Sequence, residues 1–334
     1  MNRVPLIDIQ PFLHGSDTQK EEVARQLDRT CRDLGFLLIT GHGVPAKLRA
    51  AFESAMMSFF SLPAEIKRSW AATPDNVRGY RGMNATALSK SRDQDSPPDL
   101  MERFTIGQVD IPDDAYHNSR RRTYFQENRW PELIPAVEVA ACGYYREMER
   151  LAAALMRLLA RALQLPERHF EPYFDKHVSV LVTNFYPPQP EAPMPGQLRA
   201  GAHTDYGSLT ILAPSVSPGG LQVCNRQGLW EEIPHFEGAF VVNLGDLMAQ
   251  WTNDRWSSTM HRVVNPERES AEKARMSIVF FQQPNEDALI SCLPTCLDAD
   301  HPAKYAPVSA GEYVSAKLHK GWIANKQSSA QNSR

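Results

Sequence analysis

A run of short apolar segments between residues 178 and 284, separated at roughly even intervals by turn-forming residues, constrains this fold more than any other feature. The predicted strands are Val178–Phe185, His203–Leu212, Leu221–Val223, Phe240–Leu244, Thr259–Val264 and Met276–Phe281. Short strands that follow one another with no helix between them pair antiparallel in a sandwich or barrel, which excludes a doubly wound parallel sheet. The sequence therefore predicts a mainly β fold with flanking helices and a jelly-roll core.

The chain before this run is predicted to be helical, with a few strands. The predicted elements are a strand at Val4–Ile9, a helix at Asp17–Leu34 ended by Gly35, a strand at Phe36–Ile39, and helices at 46–61 and 134–163. The stretch from Pro74 to Asp99 is rich in Gly, Asn, Ser, Asp and Pro, which indicates a long irregular segment near the mouth of a site. A last helix is expected at 309–320, followed by a polar tail after Lys326. We thus expect a helical N-terminal region at 1–170 integrated with the core at 171–290, then the C-terminal helix and tail at 291–334.

Composition narrows the class of partner. The 334 residues carry 36 basic and 39 acidic side chains, for a net charge of −3, and no run of like charge predicts a nucleic-acid or anionic-membrane surface. The five cysteines are scattered, which favours reduced thiols in a cytoplasmic protein. Neither a signal peptide nor a span of roughly 18–20 apolar residues is found. We expect a cytoplasmic protein that acts on a small molecule; the sequence makes no prediction of its oligomeric state.

The segment GAHTDYGSLTIL carries the strongest candidate for chemistry. His203 and Asp205 are two residues apart, so in a strand they project from the same face. A second histidine, His261, lies in another predicted strand, STMHRVVNP. Two imidazoles and one carboxylate on one face of an octahedron suit iron(II), which keeps three positions open for a chelating 2-oxo acid and O₂. A zinc hydrolase with the same three ligands is an alternative; structural zinc, in contrast, prefers a closed, sulphur-rich shell.

A chelating dicarboxylate needs a cationic partner for its far end. Arg275 and Ser277, in ARMSIVFF, are two apart on a predicted strand, with apolar side chains on the opposite face. A guanidinium beside a hydroxyl binds a carboxylate bidentately where water is excluded. An arginine in an apolar strand needs a partner in any case, so an internal salt bridge is the alternative interpretation.

Two polar residues precede Pro187-Pro188 in the segment NFYPPQP. Asn184 and Tyr186 are same-face neighbours, and each could donate a hydrogen bond into the pocket. A tyrosine that covers the core of a barrel is the other interpretation of Tyr186.

These motifs resemble those of the 2-oxoglutarate/iron(II)-dependent dioxygenases of the isopenicillin N synthase-like superfamily, over nearly the whole chain. The motifs that carry the resemblance are, in order, VPLIDIQPF, GFLLITGHGVP, RGYRGM, DLMERFTIG, ENRWPE, NFYPPQP, AHTDYGSLTIL, GGLQV, GAFVVNLGDLMAQWTND, STMHRVVNP and ARMSIVFFQQP. The resemblance implies a double-stranded β-helix, the jelly roll above, with helical N-terminal support. It implies that His203, Asp205 and His261 bind iron(II), and that Arg275 and Ser277 bind the distal carboxylate of 2-oxoglutarate. It also implies that Tyr186 and Asn184 assist near the metal.

The implied activity is oxidation of a small metabolite with O₂ and 2-oxoglutarate as cosubstrates, releasing succinate and CO₂. Hydroxylation is expected first, with desaturation or cyclisation as related outcomes, and the resemblance to bacterial secondary-metabolite oxygenases places the reaction in secondary metabolism. Isopenicillin N synthase itself uses the Arg-x-Ser pair for its substrate, so a 2-oxoglutarate-independent iron oxidase is the alternative. A non-catalytic ligand-binding barrel is more remote, because a receptor has no need of iron ligands.

Overall fold

The computed structural model describes residues 4–92, 96–214 and 220–318, and most of its strands form one large sheet. The eight strands of this sheet are, in spatial order, β1 (Leu6–Asp8), β2 (Phe36–Thr40), β10 (Phe240–Leu244), β7 (Leu209–Pro214), β12 (Arg275–Gln282), β5 (Val180–Tyr186), β4 (Glu102–Ile106) and β3 (Gly79–Arg81). All neighbouring strands pair antiparallel except β1 and β2, which are parallel.

A second sheet of four strands packs against the first. Its strands are, in spatial order, β6 (Ala200–His203), β11 (His261–Val263), β8 (Leu221–Cys224) and β9 (Trp230–Glu232), and β13 (Leu289–Ile290) pairs separately with β14 (Val308–Ser309). From β5 to β12 the chain passes repeatedly from one sheet to the other, and residues of both sheets share one apolar cluster. This alternation confirms the predicted jelly roll.

The helices lie mainly on the outer face of the large sheet. They are α1 (Gln10–His14), α2 (Asp17–Asp33), α3 (Ala46–Phe60), α4 (Ala64–Lys67), α5 (Ala115–Ser119), α6 (Ala136–Ala162), α7 (Asp246–Trp251) and a last helix of which residues 310–318 are described. Single 3₁₀ turns occur at Arg68–Trp70, Leu88–Arg92, Glu171–Tyr173, Arg268–Ser270 and Pro294–Cys296. The main core lies between α2, α3, α6 and the sheet. Among the described residues, no helix combines the length and apolar character that crossing a bilayer requires.

Local sequence explains where these helices begin and end. Ser16 and Gln19 form a reciprocal capping box at the start of α2. Gly35 follows α2 with a φ of +67°, and a side chain there would collide with the carbonyl oxygen of Ser257. The predicted helix end at Gly35 is therefore confirmed, and β2 begins directly after it.

Two details of the predicted strands are wrong. The predicted strand His203–Leu212 is two strands in different sheets, since the chain bends at residues 204–208 between β6 and β7. The bend is held by tertiary contacts. The backbone nitrogen of Gly245 donates to the carbonyl oxygen of Ser208, and that of Asp246 donates to the carbonyl oxygen of Asp205. The run from 178 to 284 also contains a helix, α7, where none is predicted.

The N-terminal half contributes strands as well as helices. β1 to β4 all belong to the large sheet, so residues before 170 supply half of its strands. The stretch predicted as irregular, Pro74–Asp99, includes the short strand β3 and a 3₁₀ turn, and residues 93–95 lie outside the described residues. The predicted last helix is observed over 310–318; the rest of it and the polar tail after Lys326 lie outside the described residues. The division at 170 and 290 stays a prediction.

Candidate active site

The two histidines of the candidate metal site face each other across paired strands. His203 ends β6 and is the register partner of His261 on β11. Their ring centroids are 4.3 Å apart. Asp205 lies in the bend two residues beyond β6, and its Oδ1 is 3.9 Å from His203 Nε2 and 3.7 Å from His261 Nε2. One ligand atom from each residue lies within 4.8 Å of the other two, close enough to share one metal ion.

Backbone carbonyl oxygens fix which ring nitrogen carries the proton in both imidazoles. His203 Nδ1 lies 2.7 Å from the carbonyl oxygen of Gly201, and His261 Nδ1 lies 3.1 Å from that of Thr259. A carbonyl oxygen only accepts, so in both rings Nδ1 carries the proton and donates. Each Nε2 is therefore left with its lone pair directed into the site, as a metal ligand requires.

The carboxylate of Asp205 is oriented by two neighbouring strands. Its Oδ2 accepts from Thr210 Oγ1 at 2.6 Å and from Asn243 Nδ2 at 2.7 Å. Thr210 and Asn243 are register partners on β7 and β10. Because both bonds end on Oδ2, Oδ1 is left to face the histidines.

Burial and charge set the protonation of these groups. Burial, and then the nearby His261, hold the pKa of His203 well below its usual range. Burial alone would raise the pKa of Asp205, but the two facing histidines, Asn243 and Thr210 lower it. At neutral pH the site therefore offers a neutral imidazole at His203 and a charged carboxylate, which is the donor set that a divalent cation binds.

Four further predicted residues surround a small cavity beside this triad. Arg275 and Ser277 on β12 are register partners of Tyr186 and Asn184 on β5, and all four line a cavity of about 50 Å³ together with His203, Asp205 and His261. The predicted alternation of β12 is confirmed, since its opposite face joins the helical core. The structure thus brings all seven predicted site residues together.

Arg275 is buried without an anionic partner. It is 3% exposed, and its Nε and Nη1 have no hydrogen-bond partner among the described residues. No acidic side chain in the described part of the chain forms an ion pair with it, so the internal salt bridge is not found there. Its guanidinium carbon lies 5.0 Å from the centre of the Tyr186 ring, a cation–π contact.

A larger cavity of about 390 Å³ adjoins the triad on its other side. His203, Thr204, Asp205 and Tyr206 form its floor, and residues 310–318 form part of its wall. Arg78, Arg81, Arg103 and Tyr206 also line this cavity. Leu221 lines the small cavity.

Sequence reasoning did not single out three polar residues of the site. Thr210 and Asn243 hold Asp205, and Arg103 lies between the two cavities, with its Nε donating to Asn184 Oδ1 at 3.1 Å. Thr210 and Asn243 are each a polar residue within a mainly apolar segment, SLTIL and FVVNL, whereas the strand of Arg103, ERFTI, also contains Glu102 and Thr105 and does not show this pattern. A buried polar side chain needs a hydrogen-bond partner, so this pattern was the available signal.

Comparison with known families agrees with this geometry. Residues 4–133 match the family described as non-haem dioxygenase in morphine synthesis N-terminal, and residues 177–284 match the 2OG-Fe(II) oxygenase superfamily. Validamycin A dioxygenase of Streptomyces hygroscopicus subsp. limoneus is 32% identical over 317 residues, which cover 94% of this chain and 85% of that protein. The 2-oxoglutarate-Fe(II) type oxidoreductase hxnY of Emericella nidulans is also 32% identical, over 93% of this chain and 88% of its own length.

Solved structures show the same fold. A full-length Neurospora crassa protein solved in complex with alpha-KG and thymine has a TM-score of 0.82 at 29% identity, covering 95% of this chain and 96% of that chain. A 2OG-Fe(II) oxygenase family protein from Caulobacter crescentus has a TM-score of 0.82 at 27% identity, covering 95% and 98%. The chain therefore belongs to the 2-oxoglutarate/iron(II)-dependent oxygenases and is a dioxygenase that uses iron(II), 2-oxoglutarate and O₂.

Proposed function

We propose that His203, Asp205 and His261 bind the iron(II), that Arg275 and Ser277 bind the distal carboxylate of 2-oxoglutarate, and that a small metabolite is oxidised in the larger cavity. The expected reaction is hydroxylation, with desaturation or cyclisation as related outcomes, and the products from the cosubstrate are succinate and CO₂. We place this reaction in secondary metabolism and in the cytoplasm. The observation that carries the proposal is the largely buried His-Asp-His cluster, which shares a cavity with a buried arginine that has no ion-pair partner among the described residues.

The donor set fits iron(II). Two imidazole nitrogens and one carboxylate oxygen converge, and no cysteine belongs to the cluster, which disfavours structural zinc. Bound iron(II) supplies the activation of O₂, coupled to oxidative decarboxylation of the 2-oxo acid. The part of the protein is to hold the three ligands in one orientation, through Gly201, Thr259, Thr210 and Asn243, before the metal arrives.

The surroundings of Arg275 fit the far end of a dicarboxylate. A guanidinium buried without a counter-ion is costly, and a bound carboxylate that accepts hydrogen bonds from it removes that cost. The Ser277 hydroxyl points from the same face of β12 and offers one more donor. Because this cavity of about 50 Å³ is much smaller than the one of about 390 Å³, we assign the cosubstrate to the small cavity and the substrate to the larger one.

We assign supporting roles to Tyr186 and Asn184. The Tyr186 ring packs against the Arg275 guanidinium and restricts its orientation. Asn184 accepts from Arg103 through Oδ1, which leaves its amide nitrogen to donate toward the small cavity. Both residues would act by positioning the cosubstrate site.

Relatives support a small-molecule substrate. They include validamycin A dioxygenase, homoarginine-6-hydroxylase from Glycine max at 30% identity, and the Neurospora crassa protein solved with thymine. A cavity of about 390 Å³ next to the triad accommodates molecules of this general size.

The proposal is tested with anaerobic protein to which iron(II) and then 2-oxoglutarate are added. We expect the weak visible charge-transfer band of an iron-chelated 2-oxo acid to form in the wild type. His261→Ala should bind iron poorly and lose iron-dependent decarboxylation of 2-oxoglutarate, while keeping its far-ultraviolet circular dichroism, because the ring borders a cavity. Full activity of His261→Ala would show that His261 is not a metal ligand.

The same experiment separates the alternatives. Iron that binds without producing the band on addition of 2-oxoglutarate indicates an oxidase that takes all its electrons from substrate. Turnover with zinc in the absence of O₂ indicates a hydrolase, and a protein that binds ligands without iron-dependent turnover indicates a receptor.

A further inference from the structure

The cavity in front of the triad has an apolar wall and a basic one. The apolar wall is formed mainly by short aliphatic side chains and Phe281; these are Val77, Ala85, Ala87, Val178, Val180, Val182 and Val314. The basic groups that line the same cavity are Arg78, Arg81, Arg103 and Lys317. Among the described lining residues, Asp205 is the one acidic side chain, and it belongs to the metal site.

Two of the arginines lie side by side on the last two strands of the large sheet. Arg81 on β3 and Arg103 on β4 are register partners. Burial, and then the nearby charge of Arg103, lower the pKa of Arg81 to about 10. Both side chains line the larger cavity, so an anion bound there would lie close to two positive charges.

Arg78 is a buried cation and Arg103 is a half-buried one, and the hydrogen bonds of both go to neutral groups. Arg103 donates from Nε to Asn184 Oδ1, and Arg78 donates from Nη2 to the carbonyl oxygen of Tyr124 at 2.8 Å. Within residues 4–92, 96–214 and 220–318, neither guanidinium has a carboxylate oxygen within 4.0 Å. Lys317 differs, because its Nζ forms an ion pair with Asp246 at 3.3 Å. Burying an arginine is costly unless an anion compensates for it.

We infer that the substrate is an organic carboxylate. Its carboxylate is bound by Arg103 together with Arg81 and Arg78, and its apolar body packs on the apolar wall. The inference rests on the proposed function, since it names the class of molecule that the same site oxidises. Arg103 borders both cavities, so a carboxylate bound to it holds the rest of the molecule close to His203 and Asp205. With a neutral or cationic metabolite, neither guanidinium would have a carboxylate within 4.0 Å among the described residues, although Asp99 and Asp205 act on Arg103 from farther away.

The test measures binding to the loaded enzyme. Anaerobic protein is saturated with iron(II) and 2-oxoglutarate, and the charge-transfer band is followed while phenylacetate, cyclohexylacetate or octanoate is added; the corresponding primary amides form the matched series. We expect the acids to perturb the band at concentrations at least about tenfold lower than the amides, and Arg103→Gln to weaken acid binding about 30-fold or more. Arg103→Lys should retain part of the preference for acids, because it keeps the charge without the planar fork.

Controls separate this inference from the proposed function. A wild type that gives no band with 2-oxoglutarate contradicts the proposed function, whatever the probes do. Arg168→Gln, at a side chain that is 79% exposed, should change neither the band nor the preference. Arg81→Gln provides a second test at the cavity if Arg103→Gln does not fold.

Four results would overturn the inference. The first is a loaded wild type that binds amides as tightly as acids, and the second is one that binds none of the acids. The third is a preference for acids that survives both Arg103→Gln and Arg81→Gln. The fourth is a loss of affinity for 2-oxoglutarate itself in Arg103→Gln without any probe, which would assign Arg103 to the cosubstrate. Tighter binding of phenylphosphonate than of phenylacetate would indicate that the site binds a phosphate-like anion and not a carboxylate.

Discussion

Thr210→Val tests whether the iron site depends on the orientation of Asp205. The substitution keeps the shape of a side chain that is 3% exposed on β7 and removes only the hydroxyl that donates to Asp205 Oδ2 at 2.6 Å. Asn243 then holds Oδ2 alone. The carboxylate can rotate away from the histidines, so the variant should bind iron(II) more weakly while the fold is retained.

The size of the effect follows from the bond that is lost. A hydrogen bond to a charged group contributes about 1.5–3 kcal/mol, and removing a partner that orients a metal ligand typically costs about 10–100-fold in metal affinity. The two estimates agree, because tenfold corresponds to about 1.4 kcal/mol. We therefore expect the dissociation constant for iron(II) to rise about 10–100-fold, measured under argon by competition with a chromogenic chelator.

Thr183→Val is the matched control. Thr183 lies on β5, is 1% exposed, and its Oγ1 has no hydrogen-bond partner among the described residues. Removing this hydroxyl should leave iron affinity unchanged and should not lower the free energy of unfolding. The reasoning is refuted if Thr210→Val binds iron as tightly as the wild type, or if Thr183→Val weakens binding equally.

Three further substitutions test other parts of the site. Arg275→Leu should raise the 2-oxoglutarate concentration needed for half-maximal decarboxylation well over tenfold, since a lost buried charge-assisted pair costs about 2–5 kcal/mol; an unchanged requirement would give Arg275 another role. Gly245→Ala would press a methyl group against the carbonyl oxygen of Gly207 and within 3.0 Å of that of Asp205, so both thermal stability and iron affinity should fall, as calorimetry and chelator competition can measure. Burial raises the pKa of Asp99 to about 6, so the folded state holds more protons than the unfolded state between pH 3.8 and about 6. Over that window the free energy of unfolding of the wild type, relative to Asp99→Asn, should decrease as pH rises, by up to about 3 kcal/mol in urea titrations, and a flat difference would contradict the assignment.

The sequence predicted those parts of the site that follow from local periodicity. Arg275 and Ser277 are two apart in a strand with apolar neighbours, so their common face could be predicted, and the same reasoning placed Asn184 beside Tyr186. Because β12 pairs with β5, these two pairs of side chains line the same cavity. Here a short-range pattern was enough because each pair lies within one strand.

Features that depend on contacts between distant segments could not be predicted in this way. The bend after His203 splits one predicted strand into two, and it is stabilised by backbone bonds to Gly245 and Asp246, about 40 residues later. Asp205 is held by two side chains, those of Thr210 and Asn243. These two come together only through the register of β7 with β10. No periodicity within either segment specifies that register.

The charges at the centre also bear on what the larger cavity binds. Iron(II) brings two positive charges and Arg275 one, while Asp205 brings one negative charge and 2-oxoglutarate two, so the loaded metal site is close to neutral in total. Arg103 and Arg78 are not needed for that balance, and no described carboxylate lies within 4.0 Å of either. Since none of the described residues supplies such a close carboxylate, an anion in the cavity of about 390 Å³ could supply it. A substrate that fills the apolar part of this cavity displaces water, and an anionic substrate would then give Arg78 and Arg103 a counter-ion that the described residues do not provide within 4.0 Å.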